Sequence, residues 1–238
     1  MSPPRANDEF PPVSSATEDG LLMLGGRLTP ERVLEAYRRG IFPWPIVESG
    51  YELLAWFSPD PRAIIELDQL HVSRRLARRV RSGRFHTTCD QAFDRVIAGC
   101  AAPRAADGGT WITPNMARVY GKLHTLGHAH SLEVWQEGLL VGGLYGISLG
   151  GFFAGESMFH RERDASKVAL VTLVAHLRAR GFRLFDVQQA TAHAVRMGAI
   201  EIRRSRFVTR LREALELPVT FGHELDLSQR HVVIGQEN

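Results

Sequence analysis

Residues 130–159 read HSLEVWQEGLLVGGLYGISLGGFFAGESMF, and their pattern predicts the centre of a β-sheet. It contains three segments rich in apolar residues, 130–136, 139–148 and 152–159, separated by Glu137-Gly138 and by a Leu-Gly-Gly sequence. Both separators are typical of turns. The first segment alternates polar and apolar residues, as a half-buried strand does. We therefore expect three consecutive strands that form an antiparallel meander.

Helices and further strands are expected on both sides of this meander. Thr29-Pro30 and Thr113-Pro114 are helix starts, a capping residue followed by proline, and Gly40, Gly127 and Gly181 are helix ends. The predicted helices cover 30–39, 73–82, 90–100, 114–126, 165–180 and a segment from about 205. Further strands are predicted at 85–89, 183–188 and 200–203. This order of elements predicts an α+β fold with a mostly antiparallel sheet.

The domain organisation follows from proline and composition. Pro59-Asp60-Pro61 is the predicted boundary between two domains, and the flanking segments IFPWP (41–45) and WFSPDPR (56–62) are expected to be loops whose tryptophans fill pockets. The predicted division is a flexible arm over 1–20, a small N-terminal domain over 21–62, a larger domain over 63–222 and a C-terminal tail over 223–238.

Composition restricts the class of protein. The 238 residues are 44% hydrophobic and 23% charged, with a net charge of +3, which excludes disordered, collagen-like and disulfide-scaffold proteins. The uncharged stretch 138–155 contains seven glycines among its eighteen residues, so buried strands are favoured over a membrane helix. The two cysteines, Cys89 and Cys100, suit a reducing compartment, and the first residues carry no apolar signal. We expect a soluble cytoplasmic protein.

Several patterns suggest sites that the rest of the sequence does not support. Gly146-Ile-Ser-Leu-Gly150, followed by Asp186 and His193, matches a serine-hydrolase pattern, but the sequence after it is strand-like where a nucleophile elbow requires a helix. The glycines of 142–146 fit neither a dinucleotide-binding nor a P-loop pattern, and favour close packing of strands. Gly127 interrupts the helix that would align three histidines on one metal-binding face: His124, His128 and His130.

A basic helix is the stronger signal. HVSRRLARRVRSGR (71–84) contains six arginines and no acidic residue. Helical spacing places its apolar residues on one stripe and places on the opposite face Arg74, Arg78 and Arg81. A solvated amphipathic helix usually mixes both signs of charge, so uniform arginine favours a polyanion such as a nucleic-acid backbone. A second basic run covers 203–212.

Two carboxylates lie inside apolar strands. Glu156 is within GESMF and Asp186 is within FDVQ, where desolvation is unfavourable unless the charge is paired. One interpretation is a structural ion pair with Lys167 or with an arginine. The other is an acidic subsite that holds a cationic group.

These features resemble a known family. The similarity to leucyl/phenylalanyl-tRNA–protein transferases extends over about residues 21–215, in order and with matching spacing, through IFPW (41–44), WFSPDPR (56–62), WIT (111–113), HTLGHAHSLEVW (124–135), GESMF (155–159), ASK (165–167) and FDVQ (185–188). The resemblance implies a small N-terminal domain joined to an N-acetyltransferase-like domain. It also implies transfer of Leu, Phe or Met from an aminoacyl-tRNA to the α-amine of a protein that begins with Arg or Lys, which creates a degradation signal.

The resemblance also assigns residues to roles. It implies tRNA binding by Arg74, Arg78 and Arg81, and a reaction centre of Glu156, Asp186 and Gln188 that either relays a proton or orients the substrates. The substrate pocket would consist of Trp44, Trp111, Tyr120, Leu144, Phe153, Ser157, Met158, Leu170, Leu173 and Phe185. Trp111 is expected to stack on the terminal adenine. Leu144 replaces an expected methionine and Leu173 an expected aromatic residue, so the preferred donor stays open.

No metal or cofactor is implied, because aminoacyl-tRNA is itself a co-substrate, and a monomer is expected. An aminoacyl ester is already activated, so the enzyme mainly has to align an unprotonated amine with it. Two alternatives stay open: an N-acyltransferase that uses another donor, and a non-catalytic RNA-binding protein. The acetyltransferase pyrophosphate pattern is missing from the sequence, and RNA binding alone leaves the acid-lined apolar strands unexplained.

Overall fold

The N-terminal part of the chain forms a three-stranded antiparallel sheet. The computed structural model describes residues 9–48, 51–102 and 110–235. The first elements are β1 (Leu21–Leu24), α1 (Pro30–Arg38), β2 (Phe42–Glu48) and β3 (Tyr51–Phe57), and the strand order is β1-β3-β2. Thr29 caps α1 as predicted, because its hydroxyl oxygen accepts a hydrogen bond from the Arg32 N–H at 3.3 Å.

The predicted loop at 41–45 is wrong, since 42–45 belong to β2, which forms a hairpin with β3. The predicted loop at 56–62 is confirmed over 58–61, whereas Trp56 and Phe57 end β3 and Arg62 begins the next strand. Pro43 and Pro45 favour a loop, but β2 is an edge strand with a neighbour on one side only. Proline is tolerated in edge strands, because a backbone N–H is not required on the open side. Trp56 does fill a pocket as expected, and it is fully buried within β3.

The larger sheet has seven strands in the order β10-β4-β9-β8-β7-β6-β5. Its strands are β4 (Arg62–Ile65), β5 (His86–Cys89), β6 (Ala129–Gln136), β7 (Leu139–Leu149), β8 (Phe152–His160), β9 (Leu184–Gln188) and β10 (Ala199–Ile202). The helices of this part are α2 (Arg74–Arg81), α3 (Phe93–Ala101), α4 (Pro114–Thr125), α5 (Ala165–Arg180), α6 (Ala192–Arg196), α7 (Arg204–Leu215) and α8 (Arg230–Val233).

The predicted meander is confirmed as β6, β7 and β8. Glu137 and Gly138 both have positive φ, 52° and 76°, which suits a two-residue hairpin turn. All neighbouring strands of the sheet are antiparallel except β8 and β9, which are parallel and connected through α5. The α+β fold class with a mostly antiparallel sheet is therefore confirmed.

Glycines in β7 allow close packing. A Cβ atom at Gly142 would come within 2.7 Å of the Ala165 Cβ at the start of α5, and one at Gly146 would come within 2.5 Å of the Phe153 ring. These positions require glycine because neighbouring elements approach the strand closely. This accounts for the glycine-rich pattern without a phosphate cradle.

The predicted terminal segments need correction where the structure describes them. Residues 1–8 of the predicted arm lie outside the described residues, but Phe10 is 2% exposed and packs edge-on against Trp56 at 4.8 Å. In the predicted tail, Val233 and Ile234 are buried, and α8 packs against α5. Both segments carry apolar side chains that complete a core. The boundary at 59–61 stays a prediction; the chain passes there from the first sheet to the second.

Candidate active site

A cavity of about 850 Å³ lies between the larger sheet and the N-terminal unit, by which we mean β1 to β3 and α1. Its wall is formed by β2 on one side and by β8, β9, α5 and the β9–α6 turn on the other. This volume is within the range of about 300–1,000 Å³ that is common for small-molecule sites. The following predicted site residues lie in its wall: Trp44, Trp111, Leu144, Glu156, Ser157, Met158, Leu170, Leu173, Phe185 and Gln188.

One end of the cavity is apolar. Leu144 on β7, Leu170 and Leu173 on α5, and Phe185 on β9 are each no more than 3% exposed. Phe153, another predicted pocket residue, is fully buried and supports this wall, with its ring edge-on to Phe185 at 6.0 Å. This part of the cavity suits an aliphatic or aromatic side chain, because burial of apolar surface is favourable and a charge would be desolvated there.

Two tryptophans form an aromatic wall. The rings of Trp44 and Trp111 are stacked, with centroids 4.9 Å apart and an interplanar angle of 17°. Trp44 is 37% exposed although it is large and apolar. A partly exposed aromatic face beside a cavity is suited to stacking on a planar ring such as a nucleobase.

Glu156 lies at a β-bulge that turns it toward two tyrosines. Tyr145 pairs with Ser157 and Gly146 pairs with Gly155, so Glu156 is the extra residue in β8. Bulges are frequent beside active sites, where they redirect a side chain.

The tyrosines bind both carboxylate oxygens. The Tyr37 hydroxyl donates to Glu156 Oε1 at 2.5 Å and the Tyr120 hydroxyl donates to Oε2 at 2.9 Å. Tyr120, a predicted substrate-binding residue, therefore lies behind the carboxylate. Burial raises the pKa of Glu156 to about 7, although the tyrosine hydrogen bonds oppose this shift. Glu156 is thus partly protonated near neutral pH, as a group that exchanges a proton with a substrate should be.

Asp186 is buried in an ion pair. Its oxygens accept hydrogen bonds from Arg62 Nε at 2.9 Å and Arg62 Nη2 at 2.7 Å, and both side chains are at most 1% exposed. The Arg62 guanidinium lies between two aromatic rings, 4.8 Å from the centroid of Phe42 and 4.6 Å from that of Phe207. Of the two interpretations of this acid, the ion pair with an arginine describes the geometry, because the charge is fully matched.

Asp186 also connects to the cavity through Gln188. The Gln188 N–H donates to Asp186 Oδ1 at 3.0 Å, and Gln188 has a positive φ of 57°. Its side-chain amide lines the cavity and lies 3.5 Å from Glu156 Oε1. Glu156 and Gln188 therefore form one polar part of the cavity wall, while Asp186 holds the backbone beneath Gln188.

The basic helix α2 has the predicted faces. Leu76 and Val80 are buried, and the three predicted RNA-binding residues are exposed on the other side: Arg74, Arg78 and Arg81. Ser73 caps the helix by accepting from the Leu76 N–H at 3.3 Å. These arginines lie outside the cavity wall, on a separate surface.

The alternative sites do not have the required geometry. Ser148 lies within β7, opposite Phe153 of β8, so it has no strand-to-helix elbow. His130 binds Asp90 at 2.7 Å and His124 binds the Ala129 carbonyl at 2.9 Å, which are contacts within the fold. Across 9–48, 51–102 and 110–235, no three His, Cys, Asp or Glu side chains are grouped to hold a metal ion. Within the same ranges, no helix has the length and apolarity needed to cross a membrane.

Several residues of the site are not distinguished by any motif in the sequence. No sequence pattern assigns a role to Tyr37, which lies on the buried face of α1, or to Arg62, which ends the predicted loop at 56–62. The polar end of the cavity also went unnoticed, since its residues come from separate segments: His160, Arg161, Ser166, Thr191 and His193. The buried arginine had one available signal, its position directly after a predicted boundary and before apolar residues.

An apolar pocket beside a carboxyl group with a raised pKa, an amide and an aromatic wall is the kind of site expected in an acyl-group transferase. Residues 64–212 match the family described as leucyl/phenylalanyl-tRNA protein transferase, and residues 26–60 match its N-terminal domain. The chain belongs to the leucyl/phenylalanyl-tRNA–protein transferase family, and it is an aminoacyltransferase.

Similar proteins agree with this assignment. The leucyl/phenylalanyl-tRNA–protein transferase of Nitratidesulfovibrio vulgaris is 53% identical over 214 residues, 90% of each chain. That of Solidesulfovibrio magneticus is 54% identical over 208 residues, 87% of this chain and 83% of the relative. Among solved structures, a GCN5-related N-acetyltransferase from Kribbella flavida is similar with a TM-score of 0.38 and 12% identity, covering 71% of this chain and 58% of that one.

Proposed function

We propose that this protein transfers Leu, Phe or Met from aminoacyl-tRNA to the α-amine of proteins that begin with Arg or Lys. The observation that carries the proposal is the position of Glu156, which lies in the cavity wall beside Gln188 and next to the apolar pocket. Its raised pKa, about 7, suits exchange of a proton near neutral pH. The added residue would mark the acceptor for degradation. We further propose that the protein acts as a monomer in the cytoplasm, a reducing compartment that suits its two free thiols, Cys89 and Cys100.

The donor would occupy the apolar and aromatic parts of the cavity. Its side chain fits against Leu144, Leu170 and Leu173, and its terminal adenine stacks on Trp111. Leu173 in place of the expected aromatic residue would leave more room for the donor side chain, whereas Leu144 has about the same volume as the expected methionine. The exposed arginines of α2 would bind the phosphates of the tRNA.

The acceptor amine would approach Glu156 and Gln188. Its nitrogen attacks the ester carbonyl carbon, a C–N bond forms, and the ester C–O bond breaks to release the 3′-hydroxyl of the tRNA. Ionised Glu156 takes the proton that the attacking amine must lose and then, as the neutral acid, gives that proton to the departing 3′-oxygen, so that protons and charges balance. The Gln188 amide orients the amine. Asp186 is a positioning residue, because it holds the Gln188 backbone.

A transfer assay tests this proposal. The protein is incubated with leucyl-tRNA and a peptide that begins with Lys, and the peptide mass is expected to rise by one leucyl residue. The same peptide with an acetylated N-terminus, and aspartyl-tRNA as donor, are the controls and should give no product, because one lacks the amine and the other would bury a charge. Absence of product from leucyl-tRNA, or equal transfer from aspartyl-tRNA, would contradict the proposal.

A further inference from the structure

One end of the cavity is polar, and the proposed reaction uses none of its side chains. We name this set the mouth cluster: His160, Arg161, Ser166 and His193. Among the described residues of the cavity wall, Glu156 is the one carboxylate, and it precedes His160 by four strand residues, about 13 Å. The mouth cluster therefore offers donors and positive charge, at a distance from the reaction centre.

Two donors of the mouth cluster are poorly satisfied within the protein. His193 Nε2 is shielded from solvent and has no hydrogen-bond partner among the described residues. Ser166 is 6% exposed, and its hydroxyl reaches His160 Nδ1 at 3.5 Å, the outer limit of a hydrogen bond. Buried polar groups without partners are unfavourable, so a ligand rich in acceptor oxygens would complete this end of the cavity.

The surrounding charge favours an anion. Burial lowers the pKa of His193, and the nearby charges of Lys167 and Arg196 lower it further. Asp164, a buried acid two residues before Ser166, has its carboxylate matched by Arg75 at 3.1 Å and by Lys167 at 3.6 Å. An anionic group at the mouth cluster would therefore meet positive charge and hydrogen-bond donors.

The mouth cluster also adjoins the basic helix. Arg75 belongs to α2, and its pair with Asp164 fixes α2 against the start of α5, two residues before Ser166. A nucleic-acid strand that crosses the exposed arginines of α2 would thus arrive at this end of the cavity. Its backbone brings phosphodiester groups, which accept hydrogen bonds from such side chains.

We propose that the mouth cluster binds the phosphodiester that joins the terminal nucleoside of the donor to the preceding nucleotide. Arg161 and His160, which are exposed, contribute charge and hydrogen bonds at the opening, while Ser166 and His193 donate from inside. The inference rests on the proposed function, since it assumes an aminoacyl-RNA donor. It adds a subsite that fixes the donor strand independently of the aminoacyl group.

Two minimal donors test this subsite. Leucyl-adenosine has no phosphodiester, whereas leucyl-cytidylyl-adenosine has one. With the full-length protein, KM for the dinucleotide donor is expected to be about ten- to a hundredfold lower, as for hydrogen bonds to a charged group. The double variant Arg161→Gln/His193→Ala should lose this difference and leave kcat and KM for leucyl-adenosine unchanged.

A matched variant controls for lost charge. Arg118→Gln/His231→Ala removes the same residue types from exposed positions on α4 and α8 and should keep the wild-type KM ratio. Thermal unfolding of both double variants is measured alongside. The subsite would be overturned if the wild type had nearly the same KM for both donors, or if the mouth-cluster variant kept the wild-type difference in KM. It would also be overturned if that variant lost activity equally with both donors. Failure of the wild type to use either donor would instead contradict the transferase proposal itself.

Discussion

Arg62 and Asp186 are 124 positions apart in sequence and form a bidentate ion pair with both side chains almost wholly buried. The pair joins β4 to β9 directly below Gln188, whose N–H binds the same carboxylate. The two acids of the site therefore have different roles. Glu156 faces the cavity, whereas Asp186 fixes the backbone that presents Gln188.

Breaking this pair should destabilise the protein strongly. Arg62→Met and Asp186→Asn each leave one buried charge unmatched, which costs about 3–5 kcal/mol in the free energy of unfolding. The double variant Arg62→Met/Asp186→Leu removes both charges, so its loss in the free energy of unfolding should be much smaller than the sum of the two single losses. Urea unfolding of the three variants measures the free energy of unfolding. The pairing would be contradicted if each single variant lost less than about 1 kcal/mol and the losses added up in the double variant.

The same pair makes a prediction about activity. For the folded fraction of Asp186→Asn, single-turnover transfer should fall by about ten- to a thousandfold, because Gln188 loses its charged anchor. Affinity for tRNA should not change, since Asp186 is remote from the arginines of α2. A folded Asp186→Asn protein with the wild-type rate would show that the pair is purely structural.

Glu156→Gln should separate stability from activity. A carboxyl group whose pKa rises from 4.5 to about 7 on folding stabilises the protein fully below about pH 4.5, and this contribution is lost as the pH rises to about 7. At pH 8 the neutral amide should therefore be at least as stable as the wild type, with much slower transfer. Parallel thermal unfolding at pH 5 and pH 8 measures the difference. The stability of Glu156→Gln relative to the wild type should therefore be higher at pH 8 than at pH 5. If this relative stability were instead lower at pH 8, the raised pKa would be contradicted.

Much of the local structure was predictable, whereas the site was predictable only in part. Thr29, Thr113 and the Glu137-Gly138 turn act through residues within a few positions, so their patterns were visible. The contacts of Tyr37 with Glu156 and of Arg62 with Asp186 span more than a hundred positions. Such contacts depend on how β8, β9 and the N-terminal unit pack, which periodicity does not encode.

The hairpin of β2 and β3 shows the same limit. Prolines argue against a strand unless the strand lies at an edge, and edge position is a property of the whole sheet. Similarly, the bulge at Glu156 arises from a register shift between β7 and β8. The sequence placed this acid in an apolar strand but contained no sign of its two tyrosine partners.

The rate of transfer should depend on the ionisation of Glu156. Single-turnover rates with saturating donor should rise as the pH increases through about 7, because the ionised carboxylate accepts the amine proton. The acceptor amine itself titrates near pH 8, so the diagnostic comparison is with Glu156→Gln, which should lack the lower inflection. If both proteins show the same pH profile, Glu156 does not exchange the proton.

The exposed arginines of α2 should determine the salt dependence of tRNA binding. Replacing Arg74, Arg78 and Arg81 with Ala should make the log–log salt slope less negative by about 2 to 3, as expected for three lost phosphate contacts. The matched control replaces three exposed arginines elsewhere: Arg27, Arg118 and Arg212. Filter binding between low and moderate salt gives both slopes. Equal slopes for the two triple variants would indicate that α2 is only a solvated helix.

The proposed reaction joins an aminoacyl group to an α-amine, so the nitrogen that carries the added residue distinguishes it from acylation of a side chain. Wild-type protein is given leucyl-tRNA and a peptide with an N-terminal lysine, which offers both an α-amine and an ε-amine. Tandem mass spectrometry of the product should locate one leucyl residue on the α-nitrogen alone. Leucyl on the ε-nitrogen, or an unmodified peptide, would contradict the account.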